Sequence, residues 1–247
     1  MKLALMSDLH ANRQATEAVW AHACAEGFDQ LAMLGDYVDY GADPGWVVDF
    51  AMARQQEGAI VLQGNHDEAA AGEDNQGLSD HVLPSLAWTR KALSAAQRQW
   101  LAGLPLSAQA GTCLAVHANA YDPSHWAYIQ GRMEAIQSLQ ATACQYVVCG
   151  HMHEQALYHL TMTGKAGNFQ PTPGVTIALS AARRWLAVAG SVGQPRDGNP
   201  AAAYAMLDMA QGSITFHRVP YDHEEAAHRI ELAGLPAFFS QRLRHGQ

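Results

Sequence analysis

Apolar residues in the first quarter of the chain come in short runs separated by helix-period stretches. The runs are KLALM (2–6), QLAMLG (30–35) and AIVLQG (59–64), and between them lie segments from about Asn12 to Glu26 and from Pro44 to about Gln55. Buried strands joined by helical crossovers predict a parallel sheet. The polar, Gly-containing stretch AGEDNQGLSDH (71–81) predicts a loop, and helical segments follow around 82–102 until GLP (103–105). CLAVH (113–117) and QYVVCG (145–150) predict two more buried strands, separated by a helix near 132–141. After GHMHEQ the pattern changes to alternating strands near 157–162, 175–179, 185–190, 203–208 and 213–218, closed by a helix from about His223. The second half therefore predicts another sheet packed on the first. No repeat, low-complexity tract or linker interrupts the chain, so residues 1–247 are expected to form one α/β domain, with 71–81 as a polar insertion and 157–247 inside the same unit.

Composition narrows the classes. A chain of 247 residues can bury most of its apolar surface in one core. Its apolar runs fall well short of the roughly 20 residues that cross a bilayer. The apolar stretch within MKLALMSDLH is too short for a signal-peptide core and is expected to be a strand. A formal net charge of −8 argues against a long nucleic-acid contact, which needs Lys and Arg to neutralise many phosphates. Cys24, Cys113, Cys144 and Cys149 show no CxxC spacing, which fits a disulfide-free cytoplasmic protein. The 13 histidines are the unusual feature, because neutral imidazole is the commonest metal ligand.

Some of those histidines sit in short motifs that follow apolar runs: SDLH (7–10), GDYVD (35–39), GNHD (64–67), VH (116–117) and GHMH (150–153). Asp8, Asp36 and Asn65 fall where chain leaves strand for loop, the place where parallel sheets gather active groups. Carboxylate, imidazole and amide oxygen without thiolate suit a hard-to-borderline divalent metal. Two residues apart on extended chain, Asp8 and His10 are expected to point the same way, as are His151 and His153. Taken singly, Asp8 or Asp36 would read as a cap on the following helix, and His117 as a satisfied core histidine.

In this order the motifs resemble the calcineurin-like metallophosphoesterase superfamily, with its D-x-H, G-D-x-x-D, G-N-H-D/E, later His and G-H-x-H. The resemblance implies two adjoining mixed sheets flanked by helices, an α+β-like four-layer sandwich, holding a dinuclear metal site. It places Asp8, His10, Asp36 and His153 on one metal and Asp36, Asn65, His117 and His151 on the other, with Asp36 bridging. The ions would be divalent or trivalent, from Mn, Fe, Zn, Ni or Co. A metal-bridging hydroxide would attack the phosphoester; two metals can bring the pKa of such a water towards about 7. The resemblance assigns His66 to protonating the leaving oxygen or stabilising the pentacoordinate state, with Asp39 orienting it.

The remaining candidates concern the substrate. Asn12 reads as a helix cap, Asp67 as a cap or supporting acid, and Arg13 as a group able to reach a phosphate. GSVGQPRDGNP (190–200) reads as a tight turn in which Arg196 can bind an anion, while His125, like the other histidines outside the motifs, reads as a surface or core residue. With YGADP (40–44), WTRKALS (88–94) and GLP (103–105), this segment resembles a bacterial and archaeal branch that includes phosphodiesterases and diadenosine-tetraphosphatase relatives. The expected partner is a small, nucleotide-type phosphodiester or phosphoanhydride. Ser/Thr phosphoprotein phosphatases of the superfamily carry Arg where Tyr40 stands, which demotes that alternative. A non-catalytic scaffold would usually lose His66 or several ligands, and a metallo-β-lactamase-like site fails at Glu154 and Gln155.

Overall fold

The computed structural model describes residues 1–72 and 80–247. In chain order the strands are β1 (Lys2–Met6), β2 (Gln30–Met33), β3 (Ile60–Val61), β4 (Ser107–Ala110), β5 (Cys113–Val116), β6 (Tyr146–Cys149), β7 (Gln155–Thr161), β8 (Ala166–Phe169), β9 (Thr176–Ala178), β10 (Arg183–Ala189), β11 (Ala202–Asp208) and β12 (Ser213–Val219). The helices are α1 (Arg13–Glu26), α2 (Pro44–Gln56), α3 (Asn65–Ala71), α4 (Leu83–Ala92), α5 (Ala95–Ala102), α6 (Arg132–Gln140), α7 (His223–Leu232) and α8 (Ala237–His245). The expected 71–81 loop falls largely on residues 73–79, outside the described residues.

Two six-stranded mixed sheets pack face to face. One runs β3-β2-β1-β11-β12-β9 and the other β4-β5-β6-β10-β7-β8. In the first, β1, β2 and β3 pair in parallel, which requires the α1 and α2 crossovers, whereas β1 pairs antiparallel with β11. In the second, β5, β6 and β10 are parallel. This corrects the expectation that the second half builds its own sheet. The late strands β9, β11 and β12 extend the first sheet, and β7, β8 and β10 join β5 and β6 in the second.

Alternation along β1 shows how the layers form. Leu3 and Leu5 face the other sheet and pack with Leu34, Val148, Trp185, Leu207 and Phe216. Ala4 and Met6 face the opposite way, into a cluster with Val19 of α1 and Val47 and Val48 of α2. On the far side, Val147, Cys149, Leu186 and Val188 pack against Ala135 and Leu139 of α6. The order is thus helix, sheet, sheet, helix. Each fully buried Leu or Phe in the inter-sheet layer contributes about 1.5–3 kcal/mol relative to exposure.

The helices start where local chemistry expects. Asn12 caps α1 through a bond from the Ala15 amide to Oδ1, 3.1 Å, and Pro44 sits in the first turn of α2. The terminal helix is a hairpin, α7 and α8, whose Ala226, Ile230, Phe239 and Leu243 cluster with Tyr40. Among the described residues no helix is long and apolar enough to cross a membrane, and all four cysteines are free.

Candidate metal centre

The motif residues meet at one edge of the paired sheets, on the loops that leave β1, β2, β3, β5 and β6. Their backbone is not extended. Asp8 (φ 53°), His10 (44°), Asp36 (57°), His151 (65°) and His153 (61°) all lie in the left-handed region, as do Asp39 (72°) and Tyr40 (64°). Non-glycine residues there cost about 1–3 kcal/mol each at the more strained positions and persist where surrounding bonds over-determine them. Those bonds are present: the Asp8 amide donates to Gly35 O (3.0 Å), His10 to Asp36 O (3.0 Å) and Ala11 to Tyr37 O (2.8 Å). The His151 amide donates to Asp8 Oδ2 at 3.0 Å.

Two glycines permit this crowding. A Cβ at Gly150 would overlap Ser7 Oγ and the Asp8 carboxylate, and one at Gly193 would overlap the Leu9 carbonyl. Gly193 instead donates its amide to Asp8 O at 2.8 Å, tying the 190–194 loop to the first motif. Gly150→Ala is therefore expected to displace Asp8, lower stability by about 1–3 kcal/mol as overpacking does, and weaken metal binding. Thermal unfolding with and without added Mn²⁺ checks this, and an unchanged metal-induced shift would contradict it.

The side chains form two groups. Asp8, His10 and His153 converge in one, and Asp36, His117 and His151 in the other, with donor atoms inside each group within 4.8 Å of one another. His151 and His153 do not point the same way, as extended chain would have them, but go to separate groups, as the resemblance implies. His153 Nε2 lies 3.2 Å from Asp8 Oδ1, while His151 Nδ1 lies 3.2 Å from His117 Nε2. Left-handed backbone, rather than strand alternation, sends them to separate places. Asn65, the first residue of α3, brings Oδ1 to 3.2 Å from His117 Nε2. Between the groups stands Asp36, its Oδ2 3.8 Å from His10 Nε2 and 3.3 Å from His117 Nε2.

These residues fit a pair of cations. Each histidine sets its other ring nitrogen against a backbone carbonyl: His10 Nδ1 on Val38 O (3.0 Å), His117 Nδ1 on Leu34 O (2.9 Å), His151 Nε2 on Trp126 O (2.9 Å) and His153 Nδ1 on Gln194 O. A carbonyl only accepts, so a neutral ring turns its lone pair inward, as metal-bound histidines do. His10 Nε2 and His153 Nε2 then face each other at 3.1 Å with no proton between them. Asp36 Oδ2 is buried and has no hydrogen-bond partner. Converging lone pairs and a buried carboxylate oxygen without a hydrogen bond are costly in a protein interior unless a cation joins them.

Electrostatics agree. Burial alone would raise Asp8 and Asp36, but His153 next to Asp8 and His117 next to Asp36 hold both well below the carboxylate range. Burial, reinforced by His153, keeps His10 far below its ordinary value, and burial with His117 takes His151 down to about 3. His153 is lowered by burial and then by Arg196. Such rings are neutral and ready to ligate. His117 is the exception: burial opposes protonation, but Asp36 outweighs it and lifts His117 to about 9, so an incoming cation must displace that proton.

Beside the ligands lies a second constellation. His66 Nδ1 donates to Asp39 Oδ2 at 2.8 Å, and its Nε2 meets the Tyr40 hydroxyl at 2.9 Å. Asp39 Oδ1 accepts from Ser85 of α4 and from the Tyr40 amide. Although burial opposes it, the negative charge of Asp36 and the bond to Asp39 raise the pKa of His66. Asp67, expected as a cap or supporting acid, accepts from the amides of Asp36 (2.7 Å), Tyr37 (2.8 Å) and Gly64 (2.9 Å), and so holds the second and third motifs together. Burial, with Asp36 close by, raises it to about 7.

Two substrate candidates separate. Arg196 lies at the site, its guanidinium 5.9 Å from the Tyr40 ring and its amide bonded to His153 O. Arg13 does not join it; it pairs with Glu17 at 2.9 Å and lies over Trp46, as helix residues four apart do. His125 is exposed and pairs with Asp122. Sequence reasoning missed Ser85, whose lone hydroxyl carries no motif, and Tyr128, which stacks on His151 at 4.1 Å.

The calcineurin-like phosphoesterase superfamily domain matches residues 1–212, and the chain belongs to that superfamily. Across 99% of its length it is 28% identical to an uncharacterized protein of Methanocaldococcus jannaschii, of which 98% is covered. It is also similar to the crystal structure of a metallophosphoesterase from Sphaerobacter thermophilus, with 32% identity, 100% of both chains covered and a TM-score of 0.86. A hypothetical protein from Pyrococcus horikoshii shares the fold at 18% identity, with 100% of this chain and 98% of that one covered and a TM-score of 0.79.

Proposed function

We propose that the protein is a dinuclear metal-dependent hydrolase of phosphodiesters or phosphoanhydrides in small, nucleotide-type substrates. The observation that carries this is the placement of Asp36 Oδ2, buried without a hydrogen bond, between two groups of Asp and His side chains, 3.8 Å from His10 Nε2 and 3.3 Å from His117 Nε2. Asp8, His10, Asp36 and His153 would hold one ion, and Asp36, Asn65, His117 and His151 the other. Bound there, two ions would polarise the phosphoryl oxygens and make hydroxide available near neutral pH.

The chain's own residues supply the rest. Burial opposes protonation of His66, but Asp36 and the bond to Asp39 favour it, and Nε2 is the atom that would deliver a proton to the leaving oxygen. Asp39 fixes the ring through Nδ1, and Ser85 and the Tyr40 amide fix Asp39 in turn. Burial and the neighbouring Asp39 and Asp36 keep the Tyr40 hydroxyl protonated, although Arg196 acts against them, so Tyr40 stays neutral beside His66. Free cysteines, three of them buried, support a reducing, cytoplasmic setting.

The test is hydrolysis of bis-p-nitrophenyl phosphate by protein reconstituted separately with Mn²⁺, Fe²⁺, Zn²⁺, Ni²⁺ and Co²⁺, beside a phosphopeptide. Chelation is expected to bring the diester rate to background and metal to restore it. A rate with every metal no higher than that of His66→Ala would favour a binding scaffold, and preference for the phosphopeptide would favour a protein phosphatase.

A further inference from the structure

Of the tyrosines, only Tyr121 and Tyr128 are exposed, and both lie on the segment that joins β5 to α6. Tyr128 is 44% exposed, yet the chain around it is tied down. Asn119, fully buried, donates from Nδ2 to Ala127 O at 3.2 Å, the Trp126 indole donates to Glu68 Oε2 of α3 at 2.8 Å, and Ile129 is buried. Trp126 itself lies in the left-handed region, φ 53°, a conformation that costs energy in a residue other than glycine and persists where its surroundings fix it.

That turn serves the metal centre. It aims Trp126 O at His151 Nε2, 2.9 Å away, and sets the indole edge-on to His117, 5.7 Å between centroids. The Tyr128 ring then lies flat on His151, with 12° between planes and 4.1 Å between centroids. One face of the tyrosine is covered by a candidate metal ligand, and among the described residues no other ring lies against it. Aromatic rings favour offset parallel partners, and a base or aryl ring gains most on a ring fixed beforehand, because binding then orders only one partner. His66, in contrast, stands beside the other ligand group, its ring edge to face with His10 at 5.0 Å. The leaving oxygen belongs on the His66 side, so a substituent lying on Tyr128 stays with the phosphorus.

We propose that Tyr128, lying flat on His151 with its ring half exposed, is a stacking shelf for a planar group, a nucleobase or aryl ring, on the part of the substrate that keeps the phosphorus. The protein thereby selects phosphoesters that carry such a ring at that position. The inference rests on the hydrolase reading above and names part of its substrate. In the reaction one water is consumed. Its oxygen bonds to the phosphorus, the bond from phosphorus to the leaving oxygen breaks, and the electron pair departs with that oxygen. A proton from the water ends on the leaving oxygen by way of His66 Nε2, and the phosphate monoester that remains still carries the planar group.

Steady-state hydrolysis of thymidine 5′-(p-nitrophenyl phosphate) and of methyl p-nitrophenyl phosphate by manganese-loaded protein tests the shelf, because the leaving group is the same and only the first retains a nucleobase. Wild type is expected to favour the thymidine ester, through a lower KM. Tyr128→Leu should shrink that preference about 5-fold or more, the lower end of what a lost base–aromatic stack costs. Tyr128→Phe, which keeps the ring, and Tyr121→Leu, which removes the other exposed tyrosine of the segment, should both retain it. No preference in wild type would overturn the shelf. So would an equal loss on both esters in Tyr128→Leu, the result expected if the ring only steadies His151. Turnover of methyl p-nitrophenyl phosphate reports on the hydrolase reading separately. Were neither ester cleaved, calorimetric binding of thymidine 5′-phosphate against methyl phosphate, in wild type and Tyr128→Leu, would still decide the shelf.

Discussion

Asp36→Ala protein is expected to fold, to lose its metal, and to hydrolyse phosphoesters about 10⁴-fold or more slowly, because enzymes accelerate such reactions by at least about 10⁶ and both ion sites share this one carboxylate. Asp36 Oδ2 faces His10 on one side and His117 on the other, while Oδ1 accepts the His66 amide at 2.9 Å. Removing the carboxylate therefore breaks both ligand groups and frees the start of α3. The fold should survive, because Asp67 still holds the amides of residues 36, 37 and 64. Metal is expected to stabilise wild type, by about 2.7 kcal/mol per site at a hundred-fold excess over Kd, and to do so far less in the variant. Metal content and thermal unfolding measure this; an Asp36→Ala protein with full metal and full rate would contradict the dinuclear account.

His66→Ala is expected to behave differently: metal retained, kcat lower by about 10²–10⁴-fold, the usual range for loss of a general acid. Both ring nitrogens of His66 are directed to Asp39 and Tyr40, outside the two ligand groups. Leaving-group chemistry separates a proton donor from a structural residue. A p-nitrophenyl ester, whose leaving group needs little protonation, should suffer less in His66→Ala than an alkyl phosphodiester. Equal losses on both substrates would argue that His66 serves only to hold Asp39 and Tyr40 in place.

Much of the site was legible in the sequence because metal chemistry restricts residue type. Asp8, His10, Asp36, Asn65, His117, His151 and His153 all come together as the motifs imply. The geometry that brings them together was not legible. An apolar run followed by D-x-H reads as continuing strand, whereas the chain turns left-handed at Asp8 and again at His10. The sheets show the same limit. β1 and β11 are about 200 residues apart in sequence yet pair directly, and nothing in the alternating pattern of β11 says whether its neighbour is β1 or β10. The short strands β4 and β8 escaped notice because they lie at sheet edges with few buried positions.

The most direct test is a titration of metal-stripped protein with Mn²⁺ in which bound metal per chain and the rate on bis-p-nitrophenyl phosphate are followed together. The account predicts two ions bound per chain at saturation, with activity appearing as the second site fills. Full activity with one ion bound, or with none, would contradict it.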